Sequence, residues 1–272
     1  MPAAHTITAP LKFMIPMKEK PQIFMSANQA EANKRTGEFH MVDLEIADAR
    51  GLGEEPQLDR EGFELVTSPT AVTDFYDENQ ITSVYYKECM ALLKLRTGAA
   101  DVHIFDHTLR VQDDGLRQKH GTRLPVPVVH NDYTEKSAPQ RVKDLLEPEK
   151  SEKFLKGRYA MVNVWRSFGK SAELYPLAAA DGRTVPEKDF IAVDIVYQDR
   201  TGEIYQNAHS DAQRWFYFSN MVPKEAMLLK CFDTARDGRT RFTAHTGFEN
   251  PNAPEGTPPR ESIEVRTLLR FD

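Results

Sequence analysis

The stretch Leu124-Pro-Val-Pro-Val-Val-His-Asn-Asp132 ends an apolar run with a His-x-Asp triplet. If the run is a β-strand, His130 and Asp132 point to the same side of it, because side chains alternate between the two faces of a strand. The two prolines restrict such a strand to a sheet edge or a bulge. More than a hundred β-rich residues separate the triplet from the next suitable histidine, His245. This order predicts a fold in which distant strands bring the three side chains together.

The second half of the chain consists of short apolar and aromatic runs, separated by turn signals such as Asp181-Gly182 and Asp237-Gly238. Many short strands without alternating helices are typical of a sandwich or jelly roll, and not of a parallel α/β sheet. We therefore predict a mainly β fold with flanking α-helices, organised as a double-stranded β-helix (jelly roll, cupin-like). The predicted strands of this half are residues 159–165, 190–197, 203–206, 215–218, 227–232, 241–244 and 263–269.

The first 70 residues differ from the rest, because short apolar pieces alternate there with polar stretches that contain Gly and Pro. We predict one domain overall, in which residues 1–70 form an N-terminal arm packed on a jelly-roll core of residues 71–272. Alternating apolar residues at 40–46 predict one strand in the arm, added to a sheet edge.

Between the arm and the β-rich half, apolar residues recur at helical spacing over residues 74–96. Thr73 or Asp74 is the predicted N-cap of this helix, and Gly98 lies just past its end. Further predictions for this part of the chain are strands at 100–105 and 124–132 and one or two helices within 135–156.

Composition limits the class of function. The net charge is -6, with 35 basic residues that are scattered along the chain, so the basic patch of a nucleic-acid-binding protein is missing. We expect no membrane partner and a cytoplasmic location, since no leader pattern and no run of about 18 apolar residues occurs. The two cysteines, Cys89 and Cys231, are too few for a disulfide scaffold.

Two histidines and one carboxylate on one side of an Fe(II) ion leave positions open for a bidentate cosubstrate and oxygen. We predict this role for His130, Asp132 and His245. The triplet alone is a weak signal, because His209-Ser-Asp211 is a second one. His130 is favoured since it ends an apolar run, whereas His209 lies in a polar segment and is interpreted as a structural or surface residue.

The C-terminal strand carries a polar face that includes Arg260, Ser262, Glu264 and Arg266. Any half-exposed strand can show such a face. An Arg-x-Ser pair that follows the last metal histidine also offers a guanidinium and a hydroxyl to a dicarboxylate, as 2-oxoglutarate requires. Arg260 with Ser262 is therefore the predicted cosubstrate anchor.

Seven segments taken together are more specific than any single motif. They resemble the hydroxylase/desaturase family of fungal and bacterial secondary metabolism, which includes aspergillic-acid hydroxylase, gibberellin-type desaturases and a cephalosporin methoxylase component. The resemblance spans roughly residues 60 to 272. The segments are residues 98–110, 129–134, 163–166, 175–178, 214–221, 245–248 and 259–266.

This resemblance implies a jelly-roll oxygenase that depends on Fe(II) and 2-oxoglutarate. His130, Asp132 and His245 would be the metal ligands, and Arg260 with Ser262 the cosubstrate anchor. The chain departs from the family pattern at Ser167-Phe168, where a proline is expected, and in the long segment 249–259 before Arg260. Arg266 therefore stays open as the alternative anchor.

The predicted function is oxidation of a small molecule, either a secondary metabolite or an amino-acid derivative, with Fe(II), 2-oxoglutarate and O2 as cofactors and succinate as coproduct. Hydroxylation, desaturation and oxidative cyclisation all stay open. One alternative is an accessory jelly-roll binding protein that acts with a partner enzyme. Another is a cupin-type dioxygenase that uses no cosubstrate.

Several further side chains are candidates for the site. Asn163 is an additional candidate for cosubstrate binding, because its amide can bind a carboxylate. The candidates for the substrate pocket are Tyr133, Tyr159, Trp165 and His103.

A homodimer, in which the arm wraps a second copy, is also left open.

Overall fold

Two β-sheets dominate the computed structural model, which describes residues 5–25 and 34–272. The larger sheet has ten strands and the smaller has five. The strands are β1 (Thr6–Met14), β2 (Gln22–Phe24), β3 (Lys34–Arg35), β4 (Phe39–Asp48), β5 (Phe63–Thr67), β6 (Asp101–Val111), β7 (His130–Asn131), β8 (Tyr159–Ser167), β9 (Leu177–Ala180), β10 (Phe190–Val196), β11 (Thr201–Asn207), β12 (Trp215–Tyr217), β13 (Glu225–Asp233), β14 (His245–Gly247) and β15 (Glu261–Arg270).

The strand order identifies the fold. The larger sheet runs β1-β4-β12-β9-β14-β7-β11-β10-β2-β3, and the smaller runs β5-β13-β8-β15-β6. From β6 to β9, and again from β12 to β15, the chain alternates between the two sheets. This alternation is that of a double-stranded β-helix, so the predicted fold class is confirmed.

The helices lie outside the two sheets. They are α1 (Glu78–Gln80), which continues through a π-turn (Ile81–Tyr85) into α2 (Tyr86–Thr97), and α3 (Asp114–His120), α4 (Ser137–Leu145) and α5 (Pro148–Lys156). Helix α2 packs on the outer face of the smaller sheet, where Leu93 contacts an apolar cluster that includes Val162 and Val265. The inner face of that sheet, with Trp165 and Met161, belongs to the core beside the larger sheet.

The helix predicted over residues 74–96 exists, but its start was placed wrongly. Asp77, and not Thr73 or Asp74, is the N-cap, because its carboxylate accepts a hydrogen bond from the Asn79 N–H. Asp74 instead closes a turn before the helix by accepting from the Tyr76 N–H. At the other end Gly98 adopts the left-handed conformation, with φ of 71°, as predicted for a C-cap.

Three of the predicted strands differ from the structure. The predicted strand 124–132 contains only the short strand β7, because Pro125 and Pro127 cannot donate to a ladder. Residues 241–244 are irregular, and the strand there begins at His245. The strand predicted at 40–46 exists as β4, but it is not the edge strand that was predicted. β1 pairs with it on one side and β12 on the other, so β4 lies inside the larger sheet.

The N-terminal segment contributes strands to both sheets. β1 and β4 extend the larger sheet, and β5 pairs with β13 in the smaller one. The sequence did not predict β1, β2, β3, β5 or β9, which lack clear alternation or are very short. The division into an arm and a core stays a prediction, and residues 1–4 and 26–33 of the arm lie outside the described residues.

Gly62 joins this segment to the core at a very close approach. Its φ is 95°, and a Cβ atom there would lie 2.2 Å from Thr243 Oγ1 and 2.7 Å from Thr240 Cγ2. Its carbonyl accepts hydrogen bonds from the Lys230 N–H and the Thr243 hydroxyl. Only a glycine satisfies both the backbone conformation and the contact.

We expect Gly62→Ala to lower the free energy of unfolding by about 3 kcal/mol or more, because left-handed strain adds to overpacking. Gly98→Ala is the matched control, since a Cβ atom at Gly98 meets nothing within 4 Å. Only the strain, about 1 kcal/mol, applies there. Urea unfolding followed by circular dichroism measures both changes, and equal losses would contradict the packing argument.

Candidate metal centre

His130, Asp132 and His245 meet at the centre of the larger sheet. Strands β7 and β14 are neighbours, and His130 lies directly opposite His245 in their register. The two ring centroids are 4.5 Å apart. One ligand atom from each of the three residues lies within 4.8 Å of the others, and within residues 5–25 and 34–272 this is the one such group of His, Cys, Asp and Glu side chains.

Backbone carbonyls orient both imidazole rings. His130 Nδ1 lies 2.8 Å from the Val128 carbonyl oxygen, and His245 Nδ1 lies 2.9 Å from that of Thr243. A carbonyl only accepts hydrogen bonds, so Nδ1 carries the proton in each ring and Nε2 keeps its lone pair. His245 Nε2 is buried and has no hydrogen-bond partner among the described residues. Both rings therefore present the nitrogen that a metal ion needs.

Asn163 holds the third ligand. Its Nδ2 donates to Asp132 Oδ2 at 2.7 Å, which leaves Oδ1 on the side of His130, 3.6 Å from the His130 Nε2 atom. Asn163 is fully buried on β8. The structure thus places this candidate next to a metal ligand, where it orients the carboxylate.

The charge states of His130 and Asp132 suit a cation. Burial and the neighbouring His245 hold the pKa of His130 well below its ordinary value, so its ring is neutral. Burial alone would raise the pKa of Asp132, but the surrounding His130, His245 and Arg266 side chains and the hydrogen bond from Asn163 outweigh it and lower that pKa. Two imidazoles and a carboxylate on one side are the ligand set of non-haem Fe(II) sites.

A small cavity adjoins these candidate ligands. His130, His245, Trp165 and Arg260 line it, so one predicted anchor and one predicted pocket residue share it with two of the predicted metal ligands. A larger cavity lies on the outer face of the smaller sheet and contains none of the predicted site residues. Its charged groups are paired with one another, as Lys230 is with Asp233. The smaller cavity is therefore the one connected with the chemistry.

Arg260 is held in that cavity by aromatic rings. The side chain is 1% exposed, and its guanidinium carbon lies 5.3 Å from the Trp165 ring centroid and 5.5 Å from that of Tyr175. One N–H group donates to the Tyr175 carbonyl, whereas Nε is buried and has no partner among the described residues. Burial and the charge of Arg110 lower the pKa of Arg260 to about 9. An anion in the cavity would relieve this cost.

Gly247 makes the approach of Arg260 possible. A Cβ atom at Gly247 would lie 2.5 Å from Cε1 of the Tyr175 ring and 3.2 Å from Arg260 Nη1. The glycine therefore leaves room for the guanidinium and its aromatic neighbour beside β14.

The other predicted anchors are engaged elsewhere. Arg266 donates to Asp106 Oδ1 at 2.6 Å and to the Thr108 hydroxyl at 3.0 Å. The Ser262 hydroxyl donates to the backbone carbonyl of Arg110 at 3.3 Å. Of the two arginines predicted for the cosubstrate, Arg260 is the one that lines the cavity of the metal ligands.

The remaining pocket candidates lie at different distances from the cavity. Tyr133 follows Asp132 and is buried in the core. Tyr159, at the start of β8, packs on Phe232 with the ring centroids 5.5 Å apart. His103 is opposite Leu268, near the far end of β15. Trp165 is thus the one of the four that lines the cavity.

The second His-x-Asp triplet does not join the metal ligands. The ring of His209 packs edge-on against Phe13, with the centroids 5.3 Å apart, and its Nε2 lies 3.9 Å from Asp211. This placement agrees with the structural interpretation of His209.

Sequence reasoning missed two charged residues of the cavity, Arg110 and Glu264. Glu264 was placed on the polar face of its strand but was given no role. Arg110 lies in one of the seven segments of the resemblance. The missing signal was the pairing of β6 with β15, which puts Arg110 opposite Ser262.

Fold and ligand set together define a jelly-roll protein of the non-haem iron oxygenase type. The profile of a family described as Oxidoreductase/YMDC permease-like domain matches residues 11–270. The hydroxylase/desaturase efuI of Hormonema carpetanum is 34% identical over 257 residues, which cover 86% of this chain and 85% of the relative. The chain belongs to this hydroxylase/desaturase family of oxidoreductases, as the sequence predicted.

Two more proteins are similar over nearly their whole length. Alpha-ketoglutarate-dependent dioxygenase phiK, from an unclassified fungal species, is 28% identical, with 90% of each chain covered. The solved structure of the iron and alpha-ketoglutarate-dependent endoperoxidase NvfI is 25% identical, with a TM-score of 0.85, and the match covers 98% of each chain.

No helix in residues 5–25 and 34–272 is long and apolar enough to cross a membrane.

We expect Asn163→Ala to weaken Fe(II) binding by about tenfold to a hundredfold, because the carboxylate of Asp132 loses the group that orients it. Anaerobic Fe(II) titration by calorimetry measures the change. His209→Ala is the control and should bind Fe(II) like the wild type. Unchanged affinity in Asn163→Ala, in a protein with normal circular dichroism, would show that the amide does not support the metal.

Proposed function

We propose that this oxidoreductase is an Fe(II)/2-oxoglutarate-dependent oxygenase that oxidises a small molecule. His130, Asp132 and His245 are the proposed iron ligands, and Arg260 is the proposed anchor of the cosubstrate. One observation carries the proposal: Arg260, a buried arginine whose Nε has no partner in residues 5–25 and 34–272, lines the same cavity as both histidines. The similarity to phiK and NvfI supports it, because both of these proteins are described as alpha-ketoglutarate-dependent.

When bound, iron would activate dioxygen, which is the oxidant; oxidative decarboxylation of 2-oxoglutarate to succinate and CO2 would give two of the four electrons that dioxygen needs, and the substrate would give the other two. The protein supplies orientation. The Val128 and Thr243 carbonyls hold the two imidazoles with Nε2 toward the metal position, and Asn163 holds Asp132. Three ligands on one side leave room for cosubstrate and oxygen.

Arg260 determines which anion fits. A guanidinium fork that lines the cavity beside both histidines can bind a carboxylate in a bidentate manner. The rings of Trp165 and Tyr175 cover it and exclude water, which strengthens its attraction for an anion. A 2-oxo acid with a second carboxylate can therefore reach the metal and Arg260 at the same time.

The rival interpretations explain less of the cavity. A cosubstrate-free cupin dioxygenase has no use for a buried guanidinium beside the metal ligands. An accessory binding protein needs no oriented set of three ligand atoms. Hydroxylation, desaturation and oxidative cyclisation all fit the proposal, because each begins with removal of a hydrogen atom from a substrate carbon. The cytoplasmic location, the lack of a nucleic-acid partner and the homodimer stay predictions.

We expect the protein with Fe(II) and 2-oxoglutarate, in the absence of oxygen, to show a visible charge-transfer band. His130→Ala should abolish the band, because it removes a ligand, and His209→Ala should keep it. On admission of oxygen, succinate should form. A wild-type protein that binds Fe(II) but gives neither band nor succinate would overturn the proposal.

We expect Arg260→Gln to weaken binding of 2-oxoglutarate by about tenfold or more, since hydrogen bonds to a charged group contribute about 1.5–3 kcal/mol each. Arg266→Gln is the matched comparison and should leave the affinity close to that of the wild type, because Arg266 is paired with Asp106. Titration of the charge-transfer band measures both. The opposite result would move the anchor to Arg266.

A further inference from the structure

A second arginine, Arg110, lines the cavity and has no role in the proposed function. It lies on β6 opposite Ser262, so it is diagonal to Arg260 across the β6–β15 pair. One N–H group donates to the Leu124 carbonyl at 2.9 Å, and this is its single side-chain hydrogen bond to the residues that the structure describes. Most of its guanidinium donors remain available to a ligand.

Glu264 also lines the cavity and is left without a direct partner. The side chain is 8% exposed, and it forms neither a hydrogen bond nor an ion pair within the described parts of the chain. Its charge and that of Arg110 attract each other across the cavity, although the two do not make contact as an ion pair. Glu264 therefore reduces the cost of burying the positive charge of Arg110 next to that of Arg260. Because the two side chains do not touch, the N–H groups of Arg110 stay free for a ligand.

Once a divalent cation is bound, the charges of the site balance only when a dianion lies beside it. Arg110 and Arg260 are cationic and Asp132 and Glu264 are the acidic groups, while Arg266 is paired with Asp106. Burial and the nearby Asp132 raise the pKa of Glu264. With both acids ionised, the four charges sum to zero. A divalent cation alone leaves the site with an excess of two positive charges, and a dianion restores neutrality. Because uncompensated buried charge is costly, the cavity fits a metal ion and a dicarboxylate as a pair.

The position of Arg110 distinguishes the two ends of that dicarboxylate. One carboxylate of 2-oxoglutarate pairs with Arg260, and the other, next to the keto group, must lie at the metal. Arg110 lines the same cavity as His130 on the metal side and as Arg260 on the anchor side. It can therefore reach a ligand that lies between the metal position and the anchor.

We propose that Arg110 binds the metal-side carboxylate of 2-oxoglutarate, so that two arginines hold the two ends of the cosubstrate. This inference rests on the proposed function and assigns a second binding residue to its site. It has a consequence for selectivity: Arg110 recognises any 2-oxo acid at the metal, whereas Arg260 recognises only one with a distal carboxylate.

Two ligands separate the two arginines. The first is 2-oxoglutarate, and the second is pyruvate, a 2-oxo acid that lacks the distal carboxylate. Each is titrated without oxygen into the Fe(II)-loaded protein, and binding is followed by calorimetry and by the charge-transfer band. Arg260→Gln should lose affinity for 2-oxoglutarate alone. Arg110→Gln should lose affinity for both ligands by a similar factor, about tenfold or more.

Arg123→Gln is the matched control for Arg110→Gln. Arg123 is exposed, lies beside Arg110 in a parallel β-bridge and does not line the cavity. Its loss removes one positive charge from the same region, so both affinities should stay close to those of the wild type. Circular dichroism and Fe(II) titration establish that each variant is folded and loaded with metal.

Three outcomes overturn the role of Arg110. In the first, Arg110→Gln binds both ligands as tightly as the wild type. In the second, Arg110→Gln loses affinity for 2-oxoglutarate but keeps its affinity for pyruvate. In the third, the wild-type protein binds 2-oxoglutarate but no pyruvate. In each of them the proposed function stands, because the wild type still binds Fe(II) and 2-oxoglutarate. A wild-type protein that binds neither 2-oxo acid overturns the proposed function itself.

Discussion

The buried side chain of Asn131 connects the chain segments on which the proposed metal ligands lie. Its Nδ2 donates to the carbonyls of Tyr133 and Cys231, and its Oδ1 accepts from the Thr243 N–H. One amide thus joins β7 to β13 and to the segment that leads into β14. Because a slip of one residue would turn every side chain to the opposite face, this fixed register decides whether His130 meets His245. The middle residue of the triplet is as important for the site as its two ends.

This register also determines how the ligand atoms are oriented in the interior. His130 and His245 each direct Nδ1 to a carbonyl two residues earlier in the chain, just before their strands begin, and Asn163 reaches Asp132 from the smaller sheet. The two sheets therefore build the ligand set together. Hydrogen bonds thus orient all three side chains, and such preorganisation lowers the ordering cost of binding a metal.

The same interior holds charges that a folded protein ordinarily avoids. Arg260 is almost completely buried without a carboxylate partner, and Glu264 is buried without any direct partner in the described part of the chain. By contrast, the outer cavity of the smaller sheet pairs its charges, as in the contacts of Asp233 with Arg158 and Lys230. Unpaired charge is concentrated in the cavity beside the proposed metal ligands. This contrast, more than cavity size, indicates which of the two cavities is the functional one.

Much of the fold and part of the site followed from the sequence itself. The period of two along a strand placed His130 and Asp132 on one side, and the many short β-rich runs predicted a jelly roll. The tertiary structure decided the rest. The ends of strands β7 and β14 depend on prolines and on distant partners, and β6 pairs with β15 about 150 residues away. Local sequence patterns do not specify which distant strands pair. Only the tertiary structure therefore shows that Arg110 and Glu264 line the cavity and that Arg266 forms an ion pair with Asp106.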